Sequence, residues 1–136
     1  TLDGELFMKE SIKTKSSESL FSKVCSVVRK KEPIEKESNN IRFYVFDTIN
    51  KELNCTQRYE ILNSLPKNKF IFILKQHIIK SVAGLNKFHD QITSNGGEGV
   101  MIKNPLGMYE GKRSKNLLKL KKFYELGTVK KSQLKI

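Results

Sequence analysis

Carboxylates flank a glycine in Leu2-Asp3-Gly4-Glu5-Leu6-Phe7, and an aromatic residue precedes an acid in Tyr44-Val45-Phe46-Asp47. Further on, a glutamate framed by glycines leads an apolar run in Gly96-Gly97-Glu98-Gly99-Val100-Met101-Ile102-Lys103. Arg113-Ser114 then precedes Leu117-Leu118-Lys119-Leu120-Lys121, where strand alternation puts both lysines on one face and two leucines on the other. Glycines let a backbone approach a ligand closely. An aromatic ring offers a stacking face, and carboxylates hold sugar hydroxyls or a hard cation. Two lysines and an arginine supply positive charge for phosphates. The combined chemistry is that of a nucleotide pocket. Taken singly, each stretch has an ordinary structural reading: Asp-Gly-Glu as a turn, Phe46 as core, Glu98 as a hairpin feature, Lys-x-Lys as a solvated strand face.

The elements that must position these residues follow from periodicity. Residues 2–8 read as a strand and the Lys/Ser/Glu-rich residues 9–19 as a loop. Leu20, Phe21, Val24, Cys25 and Val28 recur at helical spacing. A charged loop over 29–40 ends in Ser-Asn-Asn, and Ile41–Ile49, dense in β-branched and aromatic residues, is a strand. Thr56 caps a helix running to Leu65, with Tyr59, Ile61, Leu62 and Leu65 as its apolar side. Phe70–Leu74 reads as a buried strand and 82–94 as a helix stopped by Asn95-Gly96-Gly97. Strands over 98–103 and 116–123 flank a turn-rich loop from Pro105 to Gly111. Irregular alternation of this kind gives a mixed α+β domain.

Composition bounds the partners. The 136 residues suit one domain, and 38% hydrophobic content with eight Phe and four Tyr is enough for a core. Lys plus Arg number 26 against 14 Asp plus Glu, a net charge of +12, which favours a polyanionic partner through counterion release. Two cysteines, Cys25 and Cys55, with two histidines give neither zinc-ligand spacing nor a disulfide framework, so both thiols are expected reduced and in the core. No stretch has the apolar length of a membrane span. The chain opens at Thr1 and runs straight into a strand, so it is expected to be cut from something longer.

In order and spacing, the four stretches resemble the motifs of covalent nucleotidyltransferases, and specifically of ATP-dependent DNA ligases. Leu-Asp-Gly-Glu-Leu-Phe is similar to the family's motif III, Tyr-Val-Phe-Asp to motif IIIa, Glu-Gly-Val-Met-Ile-Lys to motif IV and Leu-Leu-Lys-Leu-Lys to motif V. The resemblance spans Leu2 to Phe123. It implies an ATP-grasp-like nucleotidyltransferase (adenylation) domain of antiparallel sheets with flanking helices, N-terminally truncated. Residues 1–125 would be the partial adenylation domain, and 126–136 the start of a connection to a missing OB-fold domain. It implies ATP and Mg²⁺ as cofactors and nicked double-stranded DNA as partner. Glu5 would bind the ribose, Phe46 would stack on adenine, and Met101 would close the other face of the base. Glu98 would be a metal-dependent catalytic residue, Lys119 and Lys121 catalytic phosphate contacts, and Arg113 a further phosphate or DNA contact. Phe46, Glu5, Glu98, Lys119 and Lys121 are expected to converge on one cleft. The family's nucleophile, the lysine of a Lys-x-Asp-Gly motif, does not occur in this sequence, so the chain alone is expected not to form lysyl-AMP.

Two other readings share some of these features. An RNA ligase or mRNA guanylyltransferase uses the same scaffold. A non-catalytic basic nucleic-acid-binding module would share the charge but has no need of intact acidic and aromatic motif residues. The expected location is intracellular, or periplasmic if a signal peptide lay upstream.

Overall fold

The structure is a computed structural model that describes residues 1–9 and 19–121, and the backbone of 123–125 and 128–130. The loop expected over 9–19 and the connection expected over 126–136 therefore fall largely outside the described residues. Two compact units form, one from residues 1–50 and 58–75, the other from 51–57 and 76–136.

In the first unit, β1 (Leu2–Met8) pairs antiparallel with β2 (Ile41–Thr48), whose β-branched and aromatic residues favour a strand, from Leu2 opposite Thr48 to Met8 opposite Ile41. The short β3 (Ile71–Ile73) adds to the other side of β2, parallel, with Phe43 opposite Ile71 and Val45 opposite Ile73. β2 is thus the central strand of three. Its Val45 is fully buried, as is Leu62 of helix α3 (Cys55–Ser64). Helix α1 (Leu20–Val28), capped by the Ser19 hydroxyl accepting from the Ser22 N–H, packs on β1 and buries Val24.

The structure departs from the sequence pattern at several elements. Within the charged loop over 29–40, Glu35–Ser38 forms one helical turn, α2, with Glu35 and Glu37 in the favourable first-turn position. The cap of α3 is Asn54, not Thr56: the Asn54 side chain accepts from the Gln57 N–H (3.0 Å) while the Gln57 side chain accepts from the Asn54 N–H (3.0 Å). This reciprocal pair is a capping box. The buried side of α3 carries Cys55, Arg58 and Leu62, whereas Ile61 and Leu65 are exposed. A local apolar count misses this because the Arg58 guanidinium is drawn inward by Asp47. β3 is not buried: Ile71 and Phe72 are exposed, because β3 is an edge strand. Cys55 is a core thiol as expected, but Cys25 is only half-buried.

In the second unit, helix α4 (Val82–Ser94) is capped by Ser81 and packs on β4 (Gly99–Lys103). It ends where the sequence indicates. Gly96 donates to the Thr93 carbonyl and Gly97 to that of Ile92, a Schellman motif that delivers the chain to Glu98. β4 pairs antiparallel with β5 (Leu117–Lys121), and β6 (Phe123–Glu125) with β7 (Thr128–Lys130). Among the described residues, no helix is long and apolar enough to cross a membrane.

Candidate functional site

The register of the first sheet sets Glu5 directly opposite Tyr44, with Phe46 two residues further along β2. Between Asp3 and Gly4 the register shifts, so that one extra residue of β2, Phe46, enters between the rows. Such a bulge bends a strand and re-aims the side chain it carries. It also brings the chains so close that a Cβ at Gly4 would lie 2.3 Å from the Tyr44 carbonyl oxygen, which is why a glycine stands between the two acids. The Glu5 carboxylate is exposed beside Tyr44, so this face offers hydrogen-bond acceptors next to an aromatic surface, and Phe46 is half-buried. The same face continues across the sheet. Tyr44 and Phe72 stack with centroids 5.7 Å apart, and the Arg42 guanidinium lies 5.3 Å from the centre of the Phe70 ring.

Next to Phe46, Asp47 faces into the protein. Its carboxylate accepts from the Arg58 Nε at 2.7 Å and from the Thr48 N–H at 2.8 Å. Both partners are buried, so this ion pair fixes β2 against α3 at the residue beside the proposed stacking aromatic. The acid stands out in the sequence and its arginine does not. The available signal was a charged residue in helical phase with Cys55 and Leu62.

The second unit holds the other predicted residues. Met101 stands opposite Lys119 and Gly99 opposite Lys121, so Met101, Lys119 and Lys121 share a face of the β4–β5 ladder. Leu118 and Leu120 take the opposite face, and Leu120 is buried, as the alternation requires. Gly99 adopts φ +154°, and a Cβ there would sit 2.2 Å from the Leu120 carbonyl oxygen. Only glycine allows the ladder to begin immediately after Glu98. The Glu98 carboxylate, itself largely exposed, lies 3.5 Å from the Lys121 ammonium. The Lys119 side chain first, and then the Glu98 carboxylate, hold the Lys121 amine above the ordinary lysine range.

Arg113 lies exposed in the loop joining β4 and β5. Around it runs a polar network that no local sequence pattern announces. The Ser114 hydroxyl and the Asn116 amide both donate to Glu110, and the Asn116 N–H donates to the Ser114 hydroxyl at 3.0 Å. These bonds, the Ser114 hydroxyl first, hold the Glu110 carboxyl below the ordinary glutamate range.

A family model described as the ATP dependent DNA ligase domain matches residues 1–121. The chain belongs to this family. It is 32% identical over 125 residues to a DNA ligase of Haemophilus influenzae, covering 88% of this chain and 42% of the relative. It is also 33% identical over 133 residues to a DNA ligase of Archaeoglobus fulgidus, covering 91% of this chain and 23% of that one. A solved structure from a study of DNA binding with a minimal scaffold by Lig E DNA ligases superposes with a TM-score of 0.74 at 28% identity, over 88% of this chain and 45% of that one. The ligase-domain chain thus spans less than half the length of these relatives. Its mixed α+β architecture agrees with the ligase neighbour.

Proposed function

We propose that this chain supplies nucleotide-handling residues of an ATP-dependent DNA ligase, which seals nicks in double-stranded DNA through enzyme-bound and DNA-bound adenylate. The observation that carries the reading is the β4–β5 ladder. It fixes Met101, Lys119 and Lys121 on one face, with Glu98 beside Lys121, inside a stretch matched by the ligase-domain family.

The roles follow from side-chain chemistry. Exposed on its sheet face, the Glu5 carboxylate accepts hydrogen bonds from ribose hydroxyls, and Phe46, two residues along β2 from Glu5's partner Tyr44, stacks on adenine. Met101 contacts the base through its polarisable thioether. Lys119 and Lys121 contact the phosphates. Attack on the α-phosphate builds negative charge on its oxygens, and ammonium groups already fixed on a ladder stabilise that charge without reorganisation. Glu98 is the residue that would hold Mg²⁺. Among the described residues no group of three or more His, Cys, Asp or Glu side chains is gathered for a metal. A single carboxylate nevertheless fits magnesium, which keeps several waters and takes phosphate oxygens for its remaining positions. Bound there, the ion supplies further neutralisation of phosphate charge. Arg113 contacts a phosphate of nucleotide or DNA.

The test uses the full-length protein with Mg²⁺ and α-labelled ATP, GTP or NAD⁺, followed by denaturation and a nick-sealing assay on DNA and RNA duplexes. Covalent label from ATP alone and sealing of nicked DNA, both lost in Glu98→Ala and Lys119→Ala, is the expected result. Label from GTP would move the reading to a guanylyltransferase. Absence of any label would move it to a basic binding module.

A further inference from the structure

Glu110, an acid that would itself repel DNA, is tied to the residues that follow Arg113. We infer that Glu110 is a positioning residue, whose carboxylate closes the 110–116 turn and so presents Arg113 to a DNA phosphate. The inference rests on the phosphate role proposed above for Arg113.

The geometry is that of a ring. Glu110 accepts from the Ser114 hydroxyl and from the Asn116 side chain (3.3 Å), so the acid is tied to residues beyond Arg113 and the segment 111–113 forms the apex. The base of the ring is fixed in turn. The Asn104 side chain donates to that of Asn116 at 2.9 Å, and its N–H donates to the Asn116 carbonyl at 2.9 Å, extending the β4–β5 ladder by one row. The Leu106 N–H donates to the Asn104 side chain at 3.1 Å. Pro105 accepts from both the Thr56 N–H and hydroxyl, at 3.1 and 3.2 Å. What projects from this frame into solvent is positive: Lys112, Arg113 and Lys115 are all exposed. A long cationic side chain on a mobile loop loses rotamer and backbone freedom when it binds, whereas on a closed turn the backbone part of that cost is already met.

Both of these contacts of the Glu110 carboxylate come from the turn itself, the Ser114 hydroxyl and the Asn116 amide, and both end on the same oxygen. Electrostatics alone makes a contrary prediction. Removing a carboxylate from a cationic loop should strengthen binding to a polyanion. If Glu110 positions Arg113, removing it weakens binding, so the two views differ in sign.

The experiment measures the affinity of the full-length protein for a nicked duplex bearing a 5′-phosphate as a function of KCl, with melting temperature recorded for each variant. Arg113→Ala should weaken binding roughly tenfold and flatten the slope of log K against log salt by about 1. Glu110→Ala should reproduce most of that loss, and Glu110→Ala with Arg113→Ala should be no weaker than Arg113→Ala alone. Glu110→Gln, which keeps an acceptor oxygen, should bind within about twofold of wild type. Should Glu110→Ala fold poorly, Ser114→Ala tests the same ring and should lose affinity in the same direction. A merely structural contribution would lower the melting temperature and leave the slope alone. Wild-type or tighter binding by Glu110→Ala and Ser114→Ala, or an additive loss in the double variant, overturns the inference. Wild-type binding by Arg113→Ala overturns it too, by removing what is to be positioned. Covalent labelling by ATP in the same preparations reports on the ligase reading independently.

Discussion

Arg58 and Asp47 meet at 2.7 Å with both side chains nearly withdrawn from water. A buried pair of this kind contributes little relative to an apolar pair, but deleting one partner strands the other charge. Arg58→Ala should therefore cost about 3–5 kcal/mol in urea denaturation. Asp47→Ala should cost a similar amount, and the double variant should be less destabilised than the two losses added. Because Asp47 adjoins Phe46, nucleotide affinity should fall in Arg58→Ala even at temperatures where the protein stays folded. Gly99 gives a second residue-level test. Gly99→Ala would drive a methyl into the Leu120 carbonyl at a φ that side chains rarely adopt. Strain of about 1–3 kcal/mol is expected, appearing as a lower melting temperature together with reduced adenylation, since the same backbone sets Glu98 beside Lys121.

At the scale of elements, the loop between β4 and β5 should respond to acid. The Glu110 carboxyl is held below its ordinary value, so its contribution is complete above the unfolded value of 4.5 and is lost as pH falls through the lower folded value. Amide exchange over 104–116 should accelerate in that range and not elsewhere in the hairpin. In Glu110→Gln this acid-dependent step should vanish. Lys121 has the opposite sign: raised above its ordinary value of 10.5, it contributes below that value and ceases to contribute as pH rises through the higher folded one. The elements themselves were largely legible in the sequence. β2 and α4 carry their full signal locally, as β-branched density in one and as helical period with a glycine stop in the other. The Lys119/Lys121 face followed from alternation alone, because β5 has only two faces and its leucines claim one. What escaped were features decided by a partner distant in sequence. Asp47 selects the buried side of α3, the edge position exposes β3, and Asn104 lies 12 residues from Asn116. Local periodicity carries none of these.

On the scale of the whole molecule, the charge of +12 separates two physical pictures. If the excess lysines merely solvate the surface, association with DNA is weak and nearly independent of salt. If six to ten of them neutralise phosphates, affinity for duplex DNA should fall by about 10³–10⁵ between 50 and 200 mM salt. The acidic motif residues sharpen the contrast. Glu5 and Glu98 are exposed carboxylates in a strongly cationic chain, so a protein selected only to hold DNA would bind it better without them. Glu98→Gln should accordingly bind duplex DNA as tightly as the parent, or slightly more so, with an unchanged salt slope, while losing covalent labelling by ATP. Titration calorimetry or anisotropy at three salt concentrations, run beside the labelling assay, measures both quantities. Loss of DNA affinity in Glu98→Gln would mean that the carboxylate supports the DNA-binding surface and does not serve nucleotide chemistry alone.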